Sequence, residues 1–229
     1  MPRGTQFQAL QVMLRDELGR SDSPAVGVSD LPRLSNAINR VYIELAEMHD
    51  WPHLRKTFSK ITLNAGQSLY DFPSDLNYDR VEQARVWWTN TPKKIHKGIS
   101  LDDYVAFDTT AGIRADPVQK WDIRWTGTKE QIEVWPLPAG TSQLQFIGFI
   151  KTPKLINPID TCMIDDNLVT LFAAIRFIKD PKEKQLAQSE AQEKLMTMKA
   201  NTEAGGESIR LGLGEPELTP FQNVVIRVK

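Results

Sequence analysis

The sequence predicts an α+β protein in which helices from both ends of the chain form one bundle around an inserted antiparallel β-sandwich or barrel. Apolar residues recur at helical spacing in the first fifty residues and again beyond residue 165. Between these regions, short β-rich runs are separated by Pro, Gly, Asn and Asp. We therefore divide the chain into N-terminal helices (1–56), a β-domain (57–158), C-terminal helices (159–204) and an extended tail (205–229).

The bulk composition indicates a globular protein without a strong electrostatic preference. The chain has 229 residues, 41% of them hydrophobic, and no apolar run long enough to span a membrane. The first residues lack the apolar segment of an export signal, so we expect no membrane association. With 28 basic and 29 acidic residues the net charge is −1, and we expect that DNA near this protein is not gripped.

Two amphipathic helices are predicted at the N-terminus. Thr5 to Gln8 has the form of a capping box, and the apolar residues that follow repeat at helical spacing until Gly19. Ser29 or Asp30 can cap the second helix, with Pro32 in its first turn and Trp51-Pro52 at its end. Its apolar face, which must pack on another element, consists of Leu34, Ile38, Val41, Leu45 and Met48.

Seven strands are predicted in the β-domain, with a short helix at residues 101–107. Alternation of Trp121, Ile123 and Trp125 indicates a strand with one solvated face, which a turn at Gly127 joins to the next strand. The last run is apolar on both faces, as expected of a central strand. The predicted strands are Phe58–Leu63, Ser68–Asp71, Arg80–Trp88, Lys94–Ile95, Lys120–Trp125, Gln131–Trp135 and Gln143–Ile150.

The C-terminal region predicts two helices and an extended tail. Asp165 or Asp166 can cap the first helix, and Asp180-Pro181 indicates a break before the second. The second helix is polar, so we expect it on the outside; its sparse apolar residues are Leu186, Leu195, Met196 and Met198. In the tail, Phe221, Val224, Ile226 and Val228 could add a strand to a sheet edge of a partner, or the tail could be a disordered terminus.

Residues suited to catalysis or metal binding are sparse. Cys162 has no histidine within sixty residues and is interpreted as a small buried hydrophobe. His49 and His53 are separated by a helix break, so they do not define a metal pair. Nucleotide-binding and hydrolase motifs are missing. We therefore expect a protein that is not an enzyme and holds no metal or cofactor.

The order of several sequence motifs, from about Leu31 to Met198, resembles the head-to-tail adaptor (connector) proteins of tailed bacteriophages, including the tail-tube A adaptors of short-tailed phages. An Asn-Arg-Val-Tyr helix ends in His-Asp-Trp-Pro and is followed by Gly66, Tyr70, Phe72-Pro73, Asp75 and Arg80-Val81. Ile132–Pro138 and Phe149–Leu155 resemble the two later motifs of these adaptors. Phe72 stands where leucine is usual, and the tail beyond Gly205 matches no motif.

This resemblance implies a structural virion protein at the head-tail junction, assembled in the host cytoplasm. It implies a homo-oligomeric ring, usually of twelve copies, beneath the portal protein. Such a ring would continue the DNA channel, which DNA crosses without specific binding, and would dock a distal tail or nozzle protein.

Tryptophans of the β-domain support an alternative function. Carbohydrate-binding sandwiches stack sugars on aromatic side chains, so a glycan-binding tail or adhesion protein is the second hypothesis. The same side chains could instead fill the core or a subunit interface. The residues concerned are Trp87, Trp88, Trp121, Trp125 and Trp135.

Overall fold

A computed structural model describes residues 3–20, 30–107 and 112–203 of the chain. It confirms the α+β prediction: the N- and C-terminal helices pack together, and a mixed sheet curls between them into a half-barrel. The helices are α1 (Phe7–Glu17), α2 (Leu31–Met48), α3 (Leu101–Ala106), α4 (Asp166–Ile175) and α5 (Pro181–Glu203), with a 3-10 turn at Pro52–Leu54.

Helix α4 lies at the centre of the helical bundle. It contacts α1, α2 and α5, and it is the most apolar of these helices. The core around it includes Phe7, Leu14, Trp51 and Leu168, each no more than 4% exposed. Side chains from both ends of the chain therefore share one core, because neither pair of helices could bury its apolar face alone.

The cap of α1 differs from the prediction. Gln6 is the N-cap and makes no side-chain cap bond. The Thr5 hydroxyl instead donates to Asp166 Oδ2 at 2.8 Å, so Thr5 links the start of α1 to the start of α4. Asp30, at the N-cap of α2, makes no cap bond either and pairs with Arg20 at 2.6 Å. The predicted cap at Asp165 is present, since its carboxylate accepts from Leu168 N at 3.0 Å.

The outer helix α5 begins at Pro181, as predicted, after a break from α4. Its buried residues are Ala191, Leu195 and Met198. Leu186 and Met196, the other apolar residues of this outer helix, are 72% and 69% exposed. Met48 of α2 was wrongly assigned to the buried face and is 53% exposed. Helix α2 therefore touches its neighbours along a narrower stripe than the sequence pattern suggests.

The described residues form eight strands: β1 (Arg55–Thr57), β2 (Ile61–Leu63), β3 (Leu69–Tyr70), β4 (Leu76–Trp88), β5 (Thr91–Lys97), β6 (Lys120–Trp125), β7 (Glu130–Trp135) and β8 (Ser142–Ile150). They lie in one sheet in the order β1-β8-β4-β5-β6-β7-β3, with β2 also paired to β8. The pairings among them are antiparallel except that of β5 with β6, which is parallel.

Strand β8 is central, as its two apolar faces predicted. It pairs with β4 on one side and with β1 and β2 on the other. The single strand predicted from Phe58 to Leu63 is divided: Phe58 lies between β1 and β2, is 2% exposed, and donates its N–H to Phe146 O at 2.9 Å. The first half of β8 lines the sheet's core, whereas Phe149 at its end belongs to the helical core.

A tight hairpin joins β4 to β5. Thr89 and Asn90 both have positive φ, 47° and 61°, as a two-residue type I′ turn requires. On the following hairpin, the alternation predicted for β6 fails at its end, because Trp125 is 63% exposed while Trp121 is 2% exposed. Trp125 pairs with Glu130 beside the turn, at the end of the hairpin.

Candidate functional site

Two sets of residues were selected from the sequence, the apolar face of α2 and four residues of the tail, and the structure describes only the first. Leu34 and Ile38 are fully buried, and Val41 and Leu45 are each 2% exposed, within the core that α2 shares with α4. The tail residues proposed for partner docking, Phe221, Val224, Ile226 and Val228, lie outside the described residues.

Two sequence motifs meet where the bundle joins the sheet. Arg80 of β4 donates from Nη1 to Ala46 O at 2.7 Å and from Nη2 to His49 O at 2.8 Å. It also forms an ion pair with Asp50, and its guanidinium lies 4.4 Å from the centre of the Phe149 ring. Arg80 thus caps the last carbonyl groups of α2, which have no partner within the helix. We call this group of contacts the Arg80 junction.

Trp51 also binds a carbonyl group near the end of α2, next to the Arg80 junction. Its ring is fully buried, and its Nε1 donates to Leu45 O at 2.8 Å. The rings of His49 and His53 lie near this ring, with centroids 4.8 and 6.1 Å away. Burial lowers the pKa of His53, chiefly because the charged ring would lose its water. The His-Asp-Trp-Pro motif therefore ends α2 and seats the sheet upon it.

A second junction connects α2 to the segment after β8. Asn39 accepts from Leu155 N at 2.7 Å and donates to Leu155 O at 2.9 Å. Tyr42, one turn on, is fully buried and accepts from Met163 N at 3.4 Å. Burial raises the pKa of Tyr42 to about 12. The Asn-Arg-Val-Tyr motif thus fixes the chain as it returns from the sheet to the bundle.

The glycine-to-tyrosine motif closes the turn between β2 and β3. The Tyr70 hydroxyl accepts from Asn64 N at 2.8 Å, and Gly66, with φ 75°, donates to Pro138 O at 2.9 Å. Phe72, which replaces the usual leucine, lies 5.3 Å from Tyr78 and 6.1 Å from Phe146 by ring centroid. Gly66, Tyr70 and Phe72 thus each have a contact that accounts for the residue type.

The short helix α3 is fastened to the sheet through Asp103. Ser100 and Asp103 form a capping box, and Lys120 Nζ lies 2.6 Å from the Asp103 carboxylate. These contacts, with Lys120 the strongest, lower the pKa of Asp103 to about 2. The Asp103 carbonyl also accepts from Trp135 Nε1 at 2.7 Å.

The five tryptophans of the sheet do not form one exposed platform. Trp121 and Trp135 are 2% and 5% exposed and belong to the core, and the Trp87 ring is covered by Lys60 Nζ at 3.9 Å. Trp125 is largely exposed, at the end of its hairpin. Sugar stacking across these side chains, the basis of the glycan hypothesis, therefore has little surface to use.

The side chains considered for catalysis or metal binding do not come together into one site within the described residues. Cys162 is fully buried, and burial raises the pKa of its thiol to about 12, so it is a poor nucleophile. Within residues 3–20, 30–107 and 112–203, no three His, Cys, Asp or Glu side chains are grouped to hold a metal ion. Among the same residues, no helix has the length and apolar character needed to cross a membrane.

The two junctions, both built from the sequence motifs, hold the helical bundle to the curled sheet. A family model described as SU10 adaptor protein matches residues 5–210, which is nearly the whole chain. The chain belongs to this family of phage head-to-tail adaptors, as its resemblance to the adaptors predicted. The family is one of structural adaptors and not of enzymes. A search of curated proteins finds no match.

Proposed function

We propose that this protein is the ring-forming adaptor at the head-tail junction of a phage virion. In this function, copies of the chain form a closed ring, of twelve copies in the adaptors it resembles, beneath the portal protein. The ring continues the DNA channel and offers its far side to the next tail component. The observation that carries the proposal is the family match over residues 5–210.

The described surface supports assembly into a ring. A ring of identical copies needs a heterologous interface, in which two different surfaces of the chain meet. Two groups of exposed apolar side chains lie on different elements: Ile156 and Ile159, 77% and 73% exposed, follow the sheet, and Leu101 and Val105, 77% and 73% exposed, lie on α3. Surface of this kind is commonly covered in assemblies.

The tail beyond residue 205 is proposed as a docking segment. Its alternating residues Phe221, Val224, Ile226 and Val228 suit addition to a strand edge of a neighbouring copy or of the portal. Removal of residues 205–229 should then weaken assembly without unfolding the monomer.

The test is the native mass of the purified protein, alone and after mixing with the portal of its own phage, followed by imaging of any large species. A closed ring, alone or only upon the portal, is the expected result and gives the copy number. A monomer or small oligomer that does not associate with the portal would contradict the proposal.

A further inference from the structure

The β4–β5 hairpin carries an unusual concentration of positive charge for a protein whose net charge is −1. From Gln83 to Leu101 the sequence contains no Asp or Glu. Lys60, from the segment before β2, lies on the same part of the sheet through its contact with Trp87. We call Lys60, Arg85 and Lys94 the cationic surface, because by register Arg85, Trp87 and Lys94 leave one face of the sheet and Lys60 lies over Trp87. Lys93 and Lys97 leave the opposite face, which carries Ile95, and all five cations are exposed.

None of these five side chains has a carboxylate partner among the residues that the structure describes. Neighbouring basic residues differ: Arg55 pairs with Glu82 at 2.7 Å and Lys56 with Asp75 at 2.6 Å. The cations of the cationic surface thus have no carboxylate partner among the described residues, whereas nearby basic residues of the sheet do.

Two of the cations are directly opposed. Arg85 and Lys94 are register partners across β4 and β5, so their side chains leave the same face of the sheet a few ångströms apart. The Arg85 guanidinium has a hydrogen bond to Gln83 Oε1 at 3.2 Å, which does not offset the charge. Like charges in this position destabilise a strand pair, and a bound anion would relieve that repulsion.

An aromatic ring holds Lys60 in place. Lys60 Nζ lies 3.9 Å from the centre of the Trp87 ring. Such a cation–π contact restricts the long side chain before any ligand arrives, which lowers the entropy lost on binding. The half-buried Trp87 therefore supports a cation here rather than a sugar ring.

From these observations we propose that the cationic surface contacts the phosphate backbone of double-stranded DNA. Two of its three cations are lysines, which are point charges without the fixed fork that arginine offers for bidentate recognition. They suit weak, sequence-independent phosphate contacts that re-form as DNA moves. The hairpin would then line the DNA path. This part of the inference depends on the proposed function; the binding itself does not.

The test measures binding of the full chain to a fluorescent duplex of random sequence, about 30 base pairs long, between about 50 and 200 mM salt. The variant is Arg85→Gln with Lys94→Gln, which removes the two opposed charges of the hairpin. Its matched control, Lys182→Gln with Lys184→Gln, removes the same charge from exposed positions of α5. The hairpin variant should bind at least about tenfold more weakly at the lowest salt, and its log–log salt slope should be smaller by about two.

The proposal would be overturned if the wild-type protein bound no duplex at low salt, or if the hairpin variant bound as well as the control. A third outcome, in which polyglutamate binds and DNA does not, would assign the cationic surface to an acidic protein partner and would equally refute it. Lys60→Gln provides a second variant, and circular dichroism verifies that each variant is folded.

Association with the portal is measured on the same samples, which separates the two proposals. A hairpin variant that assembles on the portal but has lost DNA binding supports both. Assembly of the wild-type protein on the portal without DNA binding refutes the DNA contact and leaves the adaptor function intact. DNA binding without portal assembly refutes the adaptor function alone.

Discussion

The guanidinium of Arg80, on β4, donates 2.7 Å and 2.8 Å hydrogen bonds to the carbonyl oxygens of Ala46 and His49, at the end of α2. The side chain is only 18% exposed. One residue of the sheet thus satisfies helix-end carbonyl groups of the bundle.

Arg80→Ala should lower the free energy of unfolding by about 2–4 kcal/mol, because partly buried carbonyl groups lose a charged donor. The control is Arg55→Ala, which removes an exposed ion pair with Glu82 and should cost less than about 1 kcal/mol. Urea unfolding followed by tryptophan fluorescence measures both. Equal losses in the free energy of unfolding would show that the Arg80 junction stabilises the protein no more than an exposed ion pair does.

Gly148 of β8 allows close approach to the same region of β4. A Cβ placed there would lie 2.8 Å from Arg80 O and 3.1 Å from Val81 Cα, and these backbone atoms cannot move aside easily. Gly148→Ala should therefore cost about 1–3 kcal/mol in thermal or urea unfolding. At Gly140 a Cβ would meet only the Asp116 carboxylate, at 3.2 Å, so Gly140→Ala should cost less. A reversed order would refute this explanation.

Ile38 is fully buried in the helical core. Ile38→Asp should cost several kcal/mol, since an unpaired charge would be buried, and should give insoluble protein. On the same helix, Met48 is 53% exposed, so Met48→Asp should cost no more than about 1 kcal/mol. Expression and urea unfolding of the two variants test the assignment, which fails if Ile38→Asp is as stable as the wild-type protein.

Asp103 predicts an acid-dependent loss of stability. Its pKa is lowered from 3.8 to about 2 in the folded protein, so its contribution is complete above about pH 4 and is lost as the pH falls towards 2. The stability difference between wild-type protein and Asp103→Asn should therefore shrink from pH 5 to pH 2 in thermal unfolding. A constant difference over this range would contradict the assignment to the Asp103 carboxylate.

Cys162, the single cysteine, gives a direct probe of the helical core. Its thiol is fully buried, and its pKa is raised to about 12. A maleimide or disulfide reagent at pH 8 should react at least about 100-fold more slowly with the native protein than with protein in urea, where the thiol has an ordinary pKa near 8.5. Similar rates would show that the core opens readily.

Local patterns predicted most of the elements, because helical periodicity, strand alternation and proline positions act over a few residues. The central place of β8 and the break before Pro181 are examples. The sequence could not show contacts between distant segments. Asn39 and Leu155, which lie 116 positions apart, were recognised only as parts of two separate motifs.

The features that the sequence did not predict also depend on contacts between distant segments. The sequence around Thr5 fits a capping box, yet the Thr5 hydroxyl donates its hydrogen bond to the Asp166 carboxylate, 161 positions away. The parallel pairing of β5 with β6 depends on how the intervening segment crosses the sheet. The cationic surface also depends on folding, because Lys60 joins the hairpin residues only once β8 has brought β2 beside β4.

The central claim is that this protein stands between the portal and the tail of the virion. Imaging of purified phage particles at near-atomic resolution tests it most directly. We expect a ring of density directly beneath the portal into which the bundle and the eight-stranded half-barrel fit as a unit, with side-chain density at the Arg80 junction. Density for this fold only in a peripheral fibre, or none at the head-tail junction, would contradict the claim.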